Sequence, residues 1–185
     1  MRVLLSVLMA VVVVCMIGCN GKSFFAEKPN TDTLFLGVSL GMEKKAFYDS
    51  MWKLNKDQKL MQGPANQEVE FILTEDVKGP VRMRFYPSFH EDRIFEMPVL
   101  FTYESWAPWN RQYQSDSLLT DVLQLFKKWY GPEFKIVQHP TQGDVYVRRD
   151  DNRRINLFIR DDQFVQAIFT DVKVEKKRID LAKGK

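Results

Sequence analysis

His90 and His139 are the only imidazoles in the chain, and neither stands at a spacing that builds a site. His90-Glu91-Asp92 has the residue types of a metal cluster. Three consecutive side chains do not converge on one ion, however, and no second histidine follows one helical turn on. These residues read as a polar hairpin loop after Phe89, and His139-Pro140 reads as a strand end. Serine catalysis needs a histidine base and a strained turn such as Gly-x-Ser-x-Gly, which the sequence lacks. The nine glycines are scattered, with no Walker or GxGxxG pattern to cradle a phosphate. Asp150, Asp151, Asp161 and Asp162 read as turn formers. Paired-carboxylate hydrolysis would need two acids in one cleft, and Asp150-Asp151-Asn152 lacks the alternate spacing and distal glutamate of a calcium loop. Arg148, Arg149, Arg153 and Arg154 flank that turn, either as an anion site or, with acids interleaved, as a self-paired hairpin. The expectation is a protein that is not an enzyme, with no cofactor and no metal.

Recognition chemistry is better represented. Residues 103–113, Tyr-Glu-Ser-Trp-Ala-Pro-Trp-Asn-Arg-Gln-Tyr, hold two of the four tryptophans without clear periodicity. Aromatic residues beside arginine and asparagine are the composition of binding hot spots. Trp106, Trp109, Arg111 and Tyr113 are therefore candidate binding residues, with Trp109 expected to be partly exposed and Trp106 mostly buried. The alternative is that the two tryptophans plug a join between halves of the fold. Arg82 and Arg84, on a polar strand face, complete the candidate set.

Two helices must position these groups. Over residues 43–54, Phe47, Met51 and Leu54 fall at i, i+4, i+7, and Tyr48 and Trp52 widen that stripe. In the second helix Asp116 or Ser117 is the expected cap. Leu118, Val122, Leu125, Phe126 and Trp129 form its stripe, and Gly131-Pro132 closes it. Strands follow each helix. Val69, Phe71 and Leu73 alternate with Glu68 and Glu70. After Lys78-Gly79-Pro80, Val81, Met83 and Phe85 alternate with Arg82 and Arg84. A hairpin centred near Val77 sets Glu70 opposite Arg84 on the outer face. Phe95, Met97, Val99, Phe101 and Tyr103 form a third strand, in which Pro98 signals an edge or a bulge. The second half repeats the order with Val145 and Val147, then Ile155, Leu157 and Ile159, then Val165, Ala167 and Phe169. This predicts an α+β fold of two tandem α-β-β-β units, residues 34–104 and 114–172. Its sheet is antiparallel, with the helices packed on one face and the other face solvated or used for contact.

The first residues carry a different signal. Arg2 precedes an apolar run over residues 3–14, too short and wrongly flanked for an ordinary span. Met16-Ile17-Gly18-Cys19 follows and resembles the lipobox of bacterial lipoproteins, with Met16 where that family usually has Leu. Cys15 competes poorly, because Val14 is bulky for the position before a cut. The resemblance implies a signal peptide over residues 1–18, removed before an acylated Cys19. Both cysteines lie in this segment, which leaves the mature domain without a thiol. Residues 19–33 read as a lipidated tether, which if flexible would hold the domain about 20 Å from the bilayer. Asn20, where an Asp would imply inner-membrane retention in enterobacterial lipoproteins, implies the outer membrane.

The phrase Phe35-Leu36-Gly37-Val38-Ser39-Leu40-Gly41-Met42, before the first helix, resembles the opening of envelope lipoproteins built from repeated helix-plus-hairpin units. That group includes β-lactamase-inhibitor-like domains and the small lipoproteins of outer-membrane barrel assembly. Trp129-Tyr130-Gly131-Pro132 resembles a helix ending in secreted lipoproteins common in Bacteroidetes. These resemblances bear on the fold; the Cys19 anchor, the aromatic segment and the open sheet face point to an envelope-anchored binding module for another envelope protein or peptide, or to an assembly lipoprotein supporting an outer-membrane complex. An enzyme on envelope glycan or lipid is the remaining alternative. The formal charge of +3 is concentrated in residues 173–185, a basic C-terminal tail available for anionic headgroups or another subunit. The slightly acidic body excludes nucleic acid as a partner.

Overall fold

The computed structural model describes residues 31–63 and 67–184. The signal peptide, Cys19 and most of the tether lie outside the described residues. The fold is α+β. Three α-helices, α1 (Lys44–Lys56), α2 (Ser115–Tyr130) and α3 (Val172–Lys183), accompany nine strands among the described residues. The strands are β1 (Met61–Gln62), β2 (Val69–Leu73), β3 (Val81–Phe85), β4 (Ser88–His90), β5 (Arg93–Tyr103), β6 (Lys135–His139), β7 (Gly143–Arg149), β8 (Arg153–Ile159) and β9 (Val165–Asp171). Their order across one sheet is β1-β2-β3-β5-β9-β8-β7-β6, with β4 added to β5, and every pairing described is antiparallel. Each half thus contributes four strands to this path, not three. The extra members, β1 and β6, are short or apolar without alternation and give no period-two signal.

Alternation buries one face. Met83, Val99, Phe101, Ile155, Leu157, Ala167 and Phe169 form a core with Leu118, Val122 and Phe126 of α2 and Phe47 and Met51 of α1. The opening phrase closes this core as a tight hairpin. Leu36 and Gly37 both take positive φ, at 52° and 74°, and the Leu34 amide donates to the Val38 carbonyl at 2.8 Å. That reversal drives Leu34, Phe35 and Val38 inward. It also fixes Thr33, which bridges Ser39, so residues 31–33 belong to the fold and not to the tether.

The register places Glu70 opposite Arg84, as the turn at Lys78-Gly79-Pro80 requires. The ion pairs run diagonally instead: Arg82 Nε to Glu70 Oε1 at 3.3 Å and Arg84 Nη1 to Glu68 Oε2 at 3.8 Å. Pro98 is compatible with the central strand β5 because one flank is interrupted there. The β4 pairing ends at Glu96 and the β3 pairing begins at Val99, so no ladder partner is lost for want of its N–H.

Helix ends differ from the expected caps. Glu43 does not cap α1 with its side chain; the Asp92 carbonyl accepts the Lys44 amide at 2.8 Å, and Glu43 pairs with Arg93 at 2.8 Å. The second helix starts at Ser115, ahead of Asp116 and Ser117. Gln114 is its N-cap, and Ser115 donates to the Asp162 carbonyl at 3.1 Å.

Two larger corrections concern the outer face. The helices do not all pack on one face, since α3 lies on the side opposite the core. Glu175 receives two bonds from Arg154 at 2.6 and 2.8 Å, and Arg178 sits 4.3 Å from the Phe95 ring. The segment read as a basic tail is therefore helical, capped by Asp171 through the Val174 amide at 2.9 Å. The outer face is also less polar than expected. Val145 and Phe158 are buried there, on the parity opposite the core residues Ile155 and Leu157.

Candidate recognition surface

Trp109 is the most exposed large apolar residue described, at 85 %. It lies on the connection between β5 and α2, just ahead of Arg111 and Tyr113 in a single 3-10 turn, Arg111–Tyr113. Trp106 is half-buried rather than mostly buried. Its indole N–H donates to the Asp162 carbonyl at 3.3 Å, the same acceptor used by the Ser115 amide, and this pins the connection to the β8–β9 turn. Tyr113 packs edge-on against Tyr103 with centroids 5.0 Å apart. Arg111 is exposed. Arg82 reaches the start of the same connection through Glu104, at 2.8 Å. Arg84 stands two residues along β3, its guanidinium 5.4 Å from the Phe164 ring. The structure therefore joins Arg82 to residues 104–113 and leaves Arg84 with a different set of neighbours.

A second surface was not legible as one. In α1, Phe47 and Met51 are buried, whereas Tyr48 and Trp52 form the adjoining i, i+4 pair, turned about 100° around the helix. That rotation carries them past the edge of the sheet. Trp52 is 74 % exposed and Tyr48 43 %, so neither belongs to the core stripe assigned from periodicity. With Met61 on β1 and Tyr86 after β3 they line an open groove of about 410 Å³, rimmed by Asp49 and Asn55. Its Tyr86 wall continues into an aromatic cluster outside the groove. Phe47 and Phe89 lie 6.2 Å apart, and Tyr86 meets them edge-on at 6.3 and 6.4 Å. Rigid aromatic groups lose little entropy when a ligand covers them.

The Tyr48 and Tyr86 hydroxyls, both lining the groove, hydrogen-bond to each other. That bond, more than burial, pushes the Tyr86 phenol up to about 12. Because the folded-state value is raised, the contribution of the pair to stability is complete below the ordinary value of 10.0 and fades as pH climbs toward about 12. Tyr48→Phe should bring the Tyr86 transition down toward the ordinary tyrosine range, while Tyr103 and Tyr130, which burial holds higher still, stay in place. Absorbance titration of phenolate in the variant and wild type checks this.

Several of the remaining polar groups are tied into the fold. Asp150 holds Arg148 at 2.8 Å and Arg153 at 2.5 Å. Arg153 also donates to the Thr33 carbonyl and lies 4.7 Å over the Tyr130 ring. Gly131, at φ +104°, is what lets Arg148 close in: a Cβ there would meet its guanidinium at 3.2 Å. The arginine-flanked turn is thus a staple between the opening hairpin, α2 and β8. Asp161 organises the β8–β9 turn by accepting the Gln163 and Phe164 amides at 3.0 and 2.8 Å. His90 neighbours Phe95 at 6.2 Å, and the His139 ring faces Thr141 at 3.3 Å. Among the described residues no three His, Cys, Asp or Glu side chains gather at metal-binding distance, and no helix is long and apolar enough to cross a membrane.

No protein-family model, no curated protein and no solved structure matches the chain.

Proposed function

We propose that the chain is an outer-membrane lipoprotein, processed before Cys19 and anchored there by acyl chains, that works as a non-enzymatic binding module for another envelope protein or peptide. Anchoring is supported by Met16-Ile17-Gly18-Cys19 after a short apolar run. Residues 34–104 and 114–172 are proposed to be two copies of one helix-plus-strands unit. In support, each half runs inward from a short edge strand, β1 or β6, to the central β5–β9 pair.

The observation that carries the binding claim is the groove beside α1. Four large apolar side chains, Tyr48, Trp52, Met61 and Tyr86, are exposed around one cavity. A soluble surface gains nothing by exposing such a cluster, and rimmed apolar patches of this kind mark interaction sites. The chemistry favours an apolar anchor side chain inserted against Trp52 and Tyr48, with peptide groups hydrogen-bonded to Asn55 and Asp49. Trp109 and Arg111 form a second contact surface, favoured by the exposure of Trp109.

Trp52→Ala should change folding stability by no more than roughly 0.5–1 kcal/mol, as for an exposed position. It should weaken partner capture by about 2 kcal/mol or more, the scale of an aromatic hot spot. A photo-crosslinking residue placed at Trp52 in living cells should give a discrete adduct with one envelope protein. Adducts that form only from position 109 would move binding to the β5–α2 connection. No adduct from either position would contradict the binding reading.

A further inference from the structure

Asn152, at the tip of the β7–β8 turn, holds the beginning of the described chain against its last helix. Its side-chain amide donates to Asp32 Oδ1 at 3.4 Å. Its Oδ1 accepts the Lys173 amide at 3.1 Å, and its carbonyl accepts the Val172 amide at 2.8 Å. The point where the chain arrives from Cys19 and the point where α3 departs are therefore one place on the surface.

From that place α3 runs for about 18 Å at the usual helical rise. Its inner side is fixed by Glu175 on Arg154 and by Arg178 over Phe95. Lys177 is drawn toward Glu91 at 3.3 Å. With the inner side set, the helical period turns Lys173, Lys176 and Lys183 outward, and all three are exposed. Ile179 sits among them at i+3 from Lys176 and i−4 from Lys183, and it is exposed as well. Across Val172–Lys183 five basic residues face two acidic ones; Glu175 is paired with Arg154, and Asp180, exposed one turn from both Lys176 and Lys183, leaves the outward side with three lysines against one carboxylate.

We propose that α3 is a headgroup-docking helix: Lys173, Lys176 and Lys183 rest on anionic phospholipid headgroups, with Ile179 at the interface between them. This rests on the reading of Cys19 as an acylated anchor. The twelve residue steps from Cys19 to Thr31 span roughly 40 Å at full extension, so the bilayer is always within reach of the helix that starts beside Asp32. Attraction to an anionic surface falls off within about 8–10 Å at physiological salt. The lysines therefore act only when the domain lies down on the membrane. The acyl chains hold the protein on the bilayer by themselves; what α3 adds, from the anchor's own side of the domain, is a basic contact that sets how the domain lies on the surface.

The test uses the lipidated protein in vesicles of phosphatidylcholine alone, and in vesicles of phosphatidylcholine mixed equally with phosphatidylglycerol. Lysine acylation is then mapped by mass spectrometry. Docking predicts that labelling of Lys173, Lys176 and Lys183 drops several-fold in the anionic vesicles and returns at high salt. Lys45, exposed on α1, should label alike in both. Equal labelling of the three lysines in both vesicle types, with the protein bound to each, overturns docking alone. Protein that fails to float with phosphatidylcholine vesicles contradicts the anchor, and the docking pose with it.

Discussion

Phe169→Ala should lower the free energy of unfolding by roughly 3–5 kcal/mol, the cost of deleting a fully enclosed aromatic ring. Phe169 has no exposed surface and stands on β9 between Ile155 of β8 and Met97 of β5. Its ring also meets Phe35 of the opening hairpin at 5.8 Å, Phe126 of α2 at 5.6 Å and Tyr130 at 5.5 Å. Four elements, β5, β8, the opening hairpin and α2, lean on this one side chain, so the cavity cannot be closed by moving a single neighbour. Single domains hold only about 5–15 kcal/mol in total, and the variant would sit near the edge of folding. Urea denaturation of variant and wild type checks the value. A loss below about 1 kcal/mol would mean that the sheet, α2 and the hairpin do not share a core there.

Asp150→Ala is expected to be comparably severe for a different reason. The carboxylate is nearly enclosed, at 10 % side-chain exposure, and it is shared by Arg153 at 6 % and Arg148 at 16 %. Removing it leaves two guanidinium groups shielded from water and facing each other. Breaking a buried pair from one side costs about 3–5 kcal/mol, because the surviving charge is uncompensated. Asp150→Asn keeps an acceptor oxygen and should lose less. The order Asn above Ala in thermal midpoint, with both below wild type, is the expected result. Equal midpoints for Asp150→Ala and wild type would show that the staple carries no stability.

Much of the architecture is legible in the chain because its signals are local. Lys78-Gly79-Pro80 between two alternating runs is enough to set Glu70 opposite Arg84. Gly131 after an apolar helical stripe is enough to end α2. What stayed hidden depends on how far one element covers another. The i, i+4 pair Tyr48 and Trp52 looks like a wider core stripe, and only the position of the sheet edge shows that it overhangs. Residues 172–183 have no apolar stripe and read as a charged tail. Their helix is held by Arg154 and Phe95, which arrive from β8 and β5. Val145 and Phe158 share strands with the core residues but sit on the opposite parity, so a reading by alternation assigns Val145 to the wrong face and passes over Phe158. Exposure of Trp109 was the better-signposted part of the recognition surface, since Pro108 and the lack of periodicity already set that segment apart. The groove had only one sequence sign, an excess of aromatic residues on a helix with too few core positions for them.

The proposed envelope anchoring, and with it the docking of α3, depends on processing before Cys19, which the mass of the isolated protein reports directly. Intact-mass and N-terminal fragment analysis of the protein isolated from its native membrane should find a chain that begins at Cys19, lacks residues 1–18 and carries acyl chains on that cysteine. A chain that retains residues 1–18, or that begins elsewhere with Cys19 absent or unacylated, would contradict the proposed anchoring of this domain in the envelope.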